Sequence, residues 1–391
     1  MDHLRVAVIG VGNIGYVHAS CLYSGQVEGM TLTALCDSKS ELSDDLAAAF
    51  PNVPFFTDHR HLLETAEIDA VIVSVPHPLH AAVAADAFLH GKHVLVEKPL
   101  DITLSRAKAL CDLACSSGKQ FGIMFNQRTG SLFRKAKEIV ESGQLGQLKR
   151  SVWIITNWYR TQHYYDSGTW RATWQGEGGG VLVNQAPHQL DLWQWICGMP
   201  EQITAFCDEA KYHNIEVEDS ATIAARFPNG AEGIFITSTG EYPGTNRLEI
   251  SGSKGKLVLE GGVLKWWQLL QDEREVCFSS DKSFDQIEST YLEIPEDPTP
   301  SGHRDILQNF ADSILHGTPL LAPGCDGLRE LTIQNAAYLS AWKGSIPVSL
   351  PFDEREYDAL LNAKQQASRS AKQGGSSAKQ TQYNERWQIK W

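Results

Sequence analysis

Between residues 4 and 125 the apolar positions fall into short unbroken runs, separated by stretches where they recur every three or four residues. The runs lie at 4–10, 31–37, 54–57, 70–75, 93–98 and 120–125, and Ala70-Val-Ile-Val-Ser-Val75 shows their character. A strand that is apolar on both faces belongs in a parallel sheet covered by helices. The segments between them, 13–24, 41–49, 59–65, 78–90 and 103–117, read as helices. Right-handed crossovers then predict a doubly wound α/β domain.

Past residue 125 the runs lengthen and begin to alternate. A helix over about 131–142 stops at Gly143, and strands follow at 148–160, 201–211, 217–227, 231–240, 246–251, 256–260 and 263–270. Asn229-Gly230 and Ser253-Lys-Gly255 suit hairpin turns. One helix, 181–197, interrupts the series, and helices at 303–316 and 326–343 close it. This order predicts an α+β unit with a large open, mainly antiparallel sheet and helices on one face. The division expected is 1–125, 126–355 and a C-terminal tail at 356–391. Residues 364–383 are rich in Gln, Ser, Ala and Lys and read as flexible. The aromatic tip Arg386-Trp-Gln-Ile-Lys-Trp391 is expected to dock on the body or on a neighbouring subunit.

Length and charge narrow the classes. A chain of 391 residues exceeds one ordinary core. A net charge of −13 argues against nucleic acid, which needs a clustered basic face. Asp2, His3 and Arg5 interrupt any leading apolar segment, and no apolar run approaches membrane-spanning length, so a cytoplasmic protein without a membrane partner is expected. The eight cysteines are scattered, with no zinc-site spacing, and are expected to be free thiols. Six of 11 tryptophans (Trp153, Trp158, Trp170, Trp174, Trp193, Trp195) share one short segment. Packing accounts for most; one or two could face the C–H side of a sugar or cyclitol.

The strand at 4–10 runs straight into Gly10-Val-Gly12-Asn-Ile-Gly15, and a helix follows. The three glycines then have separate roles. Gly10 permits the turn, Gly12 lets a pyrophosphate approach, and Gly15 lets helix and strand pack closely. The amides opening the helix meet the phosphates at the favourable end of its dipole. Asp37, closing the second strand, would accept both ribose hydroxyls of NAD and repel a 2′-phosphate, although Lys39 softens that repulsion; NAD is expected over NADP. In an open sheet the ligand sits beyond the strands' carboxyl ends. Cofactor contacts are therefore expected from Gly10, Gly12, Asn13, Ile14, Gly15 and Asp37, and from the strand-end residues Ser74, Pro76, His80, Glu97, Lys98 and Asn126.

Lys98 is the leading candidate for chemistry. A lysine at the mouth of that cleft would be partly desolvated and near a nicotinamide cation; both depress its pKa and make it an acid/base near neutrality. In Gly178-Gly-Gly-Val-Leu-Val-Asn184-Gln-Ala-Pro-His188-Gln-Leu-Asp191, Asn184 and His188 are four apart and predicted on one helix face. Asp191 could orient His188, or pair elsewhere. Substrate contacts are expected from Lys98, Arg128, Trp158, Arg160, Trp170, Arg171, Asn184 and His188, a polar-aromatic set suited to a polyol.

The fingerprint at 10–15, Glu97-Lys98-Pro99 and the glycine-run segment ending at Asp191 together resemble the glucose–fructose oxidoreductase, inositol dehydrogenase and MocA family. Gly302-His-Arg-Asp305, Asp326-Gly327 and Ser345–Pro351 resemble its closing elements. The resemblance covers about 4–350. It implies a Rossmann domain, an NAD(P)-dependent dehydrogenase of sugars or cyclitols, a homodimer or homotetramer, Lys98 and His188 as catalytic residues, and a cis Lys98–Pro99 bond. The family motif often carries aspartate where this chain has Asn184, and a neutral amide cannot accept a proton. Two other outcomes stay open. One is a glycoside hydrolase that retains NAD, oxidises C3 transiently and eliminates; the other is a non-catalytic nucleotide sensor.

Overall fold

A computed structural model describes residues 3–168, 170–299 and 302–368. Strands β1 (Leu4–Ile9), β2 (Met30–Cys36), β3 (Phe55–Phe56), β4 (Ala70–Val73), β5 (His93–Val96) and β6 (Phe121–Ile123) form a six-stranded sheet. Its order is 3-2-1-4-5-6, and every pairing is parallel. Helices α1 (Asn13–Tyr23), α2 (Ser43–Ala49), α3 (His59–Thr65), α4 (His80–Leu89) and α5 (Leu104–Ser117) make the connections. The strand order reverses between β1 and β4, and that switch point opens the crevice in which ligands of such sheets bind.

A second sheet is built after α6 (Ser131–Glu141). Strand β7 (Leu148–Ile155) is followed by the short helices α7 (Gln162–Asp166) and α8 (Val181–Asn184), then α9 (Pro187–Cys197). Strands β8 (Gln202–Glu209), β9 (Glu218–Arg226), β10 (Glu232–Ser238), β11 (Asn246–Gly252), β12 (Gly255–Glu260) and β13 (Val263–Leu269) come next. Helix α10 (Glu273–Ser279), β14 (Ser289–Pro295), α11 (His303–His316), α12 (Gly327–Trp342), β15 (Val348–Ser349) and α13 (Glu354–Ala367) complete the described chain. Nine strands pair in the order 14-13-12-11-7-10-9-8-15, antiparallel except for β7 with β10.

The helix expected over 181–197 is broken after Asn184. Pro187 has no N–H to continue the ladder and disfavours the helical conformation at Ala186, so it starts α9 instead. Residues 356–367, expected in a C-terminal tail, belong to α13, whose Tyr357 and Leu361 are buried in the second core. Residues 369–391, including the aromatic tip, lie outside the described residues. Cys111 and Cys325 are paired as a disulfide, against the expectation of free thiols. They stand 214 residues apart and meet only through the fold.

Trp153 and Trp193 are fully buried around Phe235, with ring centroids 6.1 and 5.6 Å from it. Their indole N–H groups reach Asn246 and Ser151. The first core is closed by late-arriving residues, Ile306, Leu307, Phe310 and Ala311 of α11 with Ala322 and Leu331. No helix among the described residues is long and apolar enough to cross a membrane.

Candidate active site

Three glycines shape the β1–α1 turn. Gly10 has φ +91°, and a Cβ there would lie 2.6 Å from the Ser74 backbone. A Cβ on Gly15 would lie 1.9 Å from the Gly10 carbonyl oxygen. Gly12 has no heavy atom within 4 Å of its Cβ position, so the space in front of it is open. Gly12 also caps α1 without any side-chain hydrogen bond, leaving the first amides free to meet an anion. Asp37 stands half-buried at the end of β2, where its carboxylate accepts Val11 N–H at 2.8 Å and Lys39 N–H at 3.0 Å. A loop open at Gly12, uncapped amides and an acid at the second strand form a cradle that fits a dinucleotide.

Beyond β5 the Lys98–Pro99 peptide is cis. Lys98 Nζ donates to the backbone carbonyl of Asn184 at 2.8 Å, a carbonyl that the helix break has freed from its own ladder. Burial lowers the Lys98 pKa, opposed mainly by Glu97, then Tyr164, Glu330 and Glu177. Beneath Lys98, Glu97 accepts from His18 Nε2 at 2.7 Å, and this pairing holds its carboxyl at about 2 despite burial. Glu97 is thus a buried strut at the foot of the cleft. His80 is another: 1% exposed, its two ring nitrogens face the Pro99 and Val75 carbonyls. Ser74 is likewise engaged, donating to the Gly10 carbonyl at 2.7 Å. Asn126 is buried, with Nδ2 3.4 Å from His303 Nδ1. Gly12, Asn13 and Pro76 line the more accessible cleft rim.

Opposite Lys98 stands the wall that carries Asn184. The Asn184 amide Nδ2 donates to Glu177 Oε1, whose other oxygen accepts Ala172 N–H at 2.6 Å. Arg171 lies 3.8 Å from Glu177, donates to the Tyr164 hydroxyl at 2.6 Å, and stacks on the Tyr164 and Trp170 rings. The Arg160 guanidinium also lies over the Tyr164 ring. His77 is buried between this wall and the first sheet, 6.0 Å from Trp170 by ring centroids, and burial drives its pKa well down. His188 is half-buried at the start of α9, 6.4 Å from the Phe125 ring. Burial, aided by the Lys98 charge, keeps its imidazole neutral.

The glycine run does press against bulky neighbours: Gly178 against Ile102, Gly179 against Tyr338, Gly180 against the Glu218 backbone. Glu218 pins the end of that run, accepting Gly180 and Leu182 N–H at 2.9 Å each and the Tyr338 hydroxyl at 2.7 Å. Burial pushes its pKa up to about 8.

Three expected substrate-side features are arranged otherwise. Arg128, 1% exposed, donates to Asp191 at 2.8 and 2.6 Å, to Asp326 at 2.7 Å and to the Leu321 carbonyl at 3.2 Å. Asp191 is therefore Arg128's partner and does not orient His188. Trp158 is buried in the second core. Asn184 and His188 do not share one continuous helix, because Pro187 intervenes. Sequence reasoning gives no role to Glu177 or His18. Glu177 stands directly before the glycine run, and that adjacency was its one signal.

Residues 4–125 match a family model described as an oxidoreductase family with an NAD-binding Rossmann fold, and residues 133–258 match the GFO/IDH/MocA C-terminal domain. The chain is 26% identical over 340 residues to myo-inositol 2-dehydrogenase of Thermotoga maritima, covering 85% of this chain and 95% of that protein. It is 25% identical over 358 residues to scyllo-inositol 2-dehydrogenase (NAD(+)) of Bacillus subtilis, covering 90% and 97%. The solved structure of the WlbA dehydrogenase from Bordetella pertussis, in complex with NADH and UDP-GlcNAcA, matches with a TM-score of 0.77. That match spans 90% of this chain and 99% of the other at 24% identity, a likeness of fold.

Proposed function

The chain belongs to the GFO/IDH/MocA family of NAD-binding oxidoreductases, and from that premise we propose that it oxidises a secondary hydroxyl of a sugar, glycoside or cyclitol. Residues 1–125 serve as the cofactor domain and 126–355 as the substrate domain. The observation carrying the reading is Lys98: an amine at the cleft, depressed in pKa by burial, with one hydrogen bond to a backbone carbonyl. Gly10, Gly12, Asn13, Ile14, Gly15 and Asp37 hold NAD, which supplies the two-electron acceptor when bound.

The chain's own groups handle the proton. Burial lowers the Lys98 pKa and so eases loss of its proton; once deprotonated, the amine takes the substrate's hydroxyl proton, and the Asn184 carbonyl and Glu97 stabilise the ammonium that re-forms. His188, kept neutral, hydrogen-bonds the same oxygen. Trp170, Arg171 and Arg160 face the remaining hydroxyls. The two relatives named above are inositol dehydrogenases, which supports a cyclitol or sugar and lends nothing to the hydrolase alternative. The family resemblance further supports a cytoplasmic homodimer or homotetramer, whose subunit number light scattering measures.

The test is Lys98→Ala, assayed with NAD against myo-inositol, scyllo-inositol, aldoses and glycosides by absorbance of the reduced cofactor. Loss of one positioned acid/base group should cut kcat by about 10²–10⁴-fold. NADH binding, read by fluorescence, should be retained. Near-normal turnover in the variant removes Lys98 from the reaction.

A further inference from the structure

Glu177 is used by no step above, yet it is fully buried and touches the substrate wall at three points. Its Oε1 receives the Asn184 amide, its Oε2 receives Ala172 N–H, and its backbone carbonyl faces His77 Nδ1 at 3.4 Å. The Arg171 guanidinium lies 3.8 Å from Oε1, so both carboxylate oxygens look toward donors. Burial raises the Glu177 pKa, opposed first by the Arg171 charge and then by the hydrogen bonds from Ala172 N–H and the Asn184 amide; ionised among these donors, the carboxylate only accepts. The Asn184 amide is then held in one orientation, with Nδ2 turned inward. Asn184 is half-buried; both of its side-chain hydrogen bonds, to Glu177 Oε1 and to the Tyr164 hydroxyl at 3.5 Å, are donated by Nδ2, and Oδ1 accepts none from a described residue.

We propose that Glu177 is a positioning residue that locks the Asn184 amide so that Oδ1 faces the cleft and accepts a hydrogen bond from a polyol hydroxyl. The assignment rests on the dehydrogenase reading for the identity of the ligand, not for the lock itself. An acidic residue at position 184 would be an acceptor by its own chemistry. An asparagine there has a donor end and an acceptor end of similar shape, and something must choose between them. Glu177 makes that choice, and Arg171 holds Glu177. The site thus presents an acceptor to the substrate while keeping the negative charge one residue further back.

A swap tests this. Glu177→Gln removes the acceptor-only partner and lets the amide turn; Asn184→Asp sets two carboxylates side by side. Each single variant should lower kcat/KM for myo-inositol at least tenfold, mostly through KM. In the double variant Glu177→Gln/Asn184→Asp, the new amide at position 177 donates to the new carboxylate at position 184. The acceptor again faces the cleft, and kcat/KM should return to within about threefold of the parent, tenfold being about 1.4 kcal/mol. Singles without effect, or a double variant no better than either single, overturn the proposal.

A second measurement needs no substrate. In NADH-bound protein labelled with 15N-asparagine, the Asn184 side-chain amide, assigned by its loss in Asn184→Asp, should be shifted downfield and protected from exchange. Both features should vanish in Glu177→Gln. An Asn184 signal unmoved by that substitution overturns the lock. A signal that responds while the parent oxidises no polyol counts against the dehydrogenase reading and against Oδ1 as a hydroxyl acceptor, and leaves only the lock standing.

Discussion

Replacing Arg128 by Met is the most informative perturbation of the frame around the cleft. Arg128 sits in the turn 126–129 and ties it to α9 through Asp191 and to the start of α12 through Asp326. Methionine keeps much of the length and removes the charge. Asp191 is 1% exposed and would keep only the Gln194 amide at 2.9 Å, so it must protonate or stay ionised and unpaired. Breaking a buried pair this way costs about 3–5 kcal/mol. Asp326, about a quarter exposed, hydrates and adds little. At about 2.1 cal/mol/K per residue the 391-residue chain has an unfolding entropy of about 0.8 kcal/mol/K. A loss of about 4 kcal/mol then lowers Tm by about 5 K. The measurement is calorimetry at neutral pH and fixed scan rate, with Arg128→Met/Asp191→Leu alongside. Removing both charges should restore most of the loss, since the penalty lies in the orphaned carboxylate. A single-variant drop under about 1 K, or a double variant worse than the single, would refute the reasoning.

Two further outcomes follow from the site. Gly15→Ala should weaken NADH binding at least tenfold by fluorescence titration, because its methyl would meet the Gly10 carbonyl at 1.9 Å and the turn must open; unchanged affinity would remove the steric account. Glu218, raised from 4.5 to about 8, holds a proton in the native state that the unfolded chain releases. Its contribution to stability is therefore present below pH 4.5 and is lost as pH rises toward about 8, with a slope of up to about 1.4 kcal/mol per pH unit. Glu218→Gln should flatten the fall of Tm between about pH 5 and 8, the other buried groups being common to both proteins; parallel curves would contradict this.

The first sheet was legible because strands buried on both faces declare themselves as continuous apolar runs, and each observed strand from β1 to β6 overlaps a predicted run. The losses have physical causes. Strand β14 is an exposed edge whose Ser289-Thr-Tyr-Leu-Glu-Ile-Pro295 carries little apolar pattern. Helix α13 leaves a weak mark on the sequence because Tyr357 and Leu361, its two buried side chains, stand among polar neighbours. The break at Pro187 was visible as a residue, and apolar periodicity on both sides masked it. In the site, Lys98 and Asn184 stood out by spacing and strand-end position. Arg128 did not show its partners, since Asp191 is 63 residues away and Asp326 198. Ion pairs closed by the fold leave no mark on local pattern, and neither does a disulfide spanning 214 residues.

Helix α11 gives the molecule a property that neither sheet has alone. Having crossed into the second unit, the backbone comes home, laying Phe310 and its neighbours over the edge strand β6. The cofactor half therefore cannot be excised by cutting once: a fragment ending near residue 125 would bare a greasy scar where α11 belongs, and would stick to its own kind. Engineers wanting a free-standing nucleotide module from this protein would have to graft 303–331 back onto it.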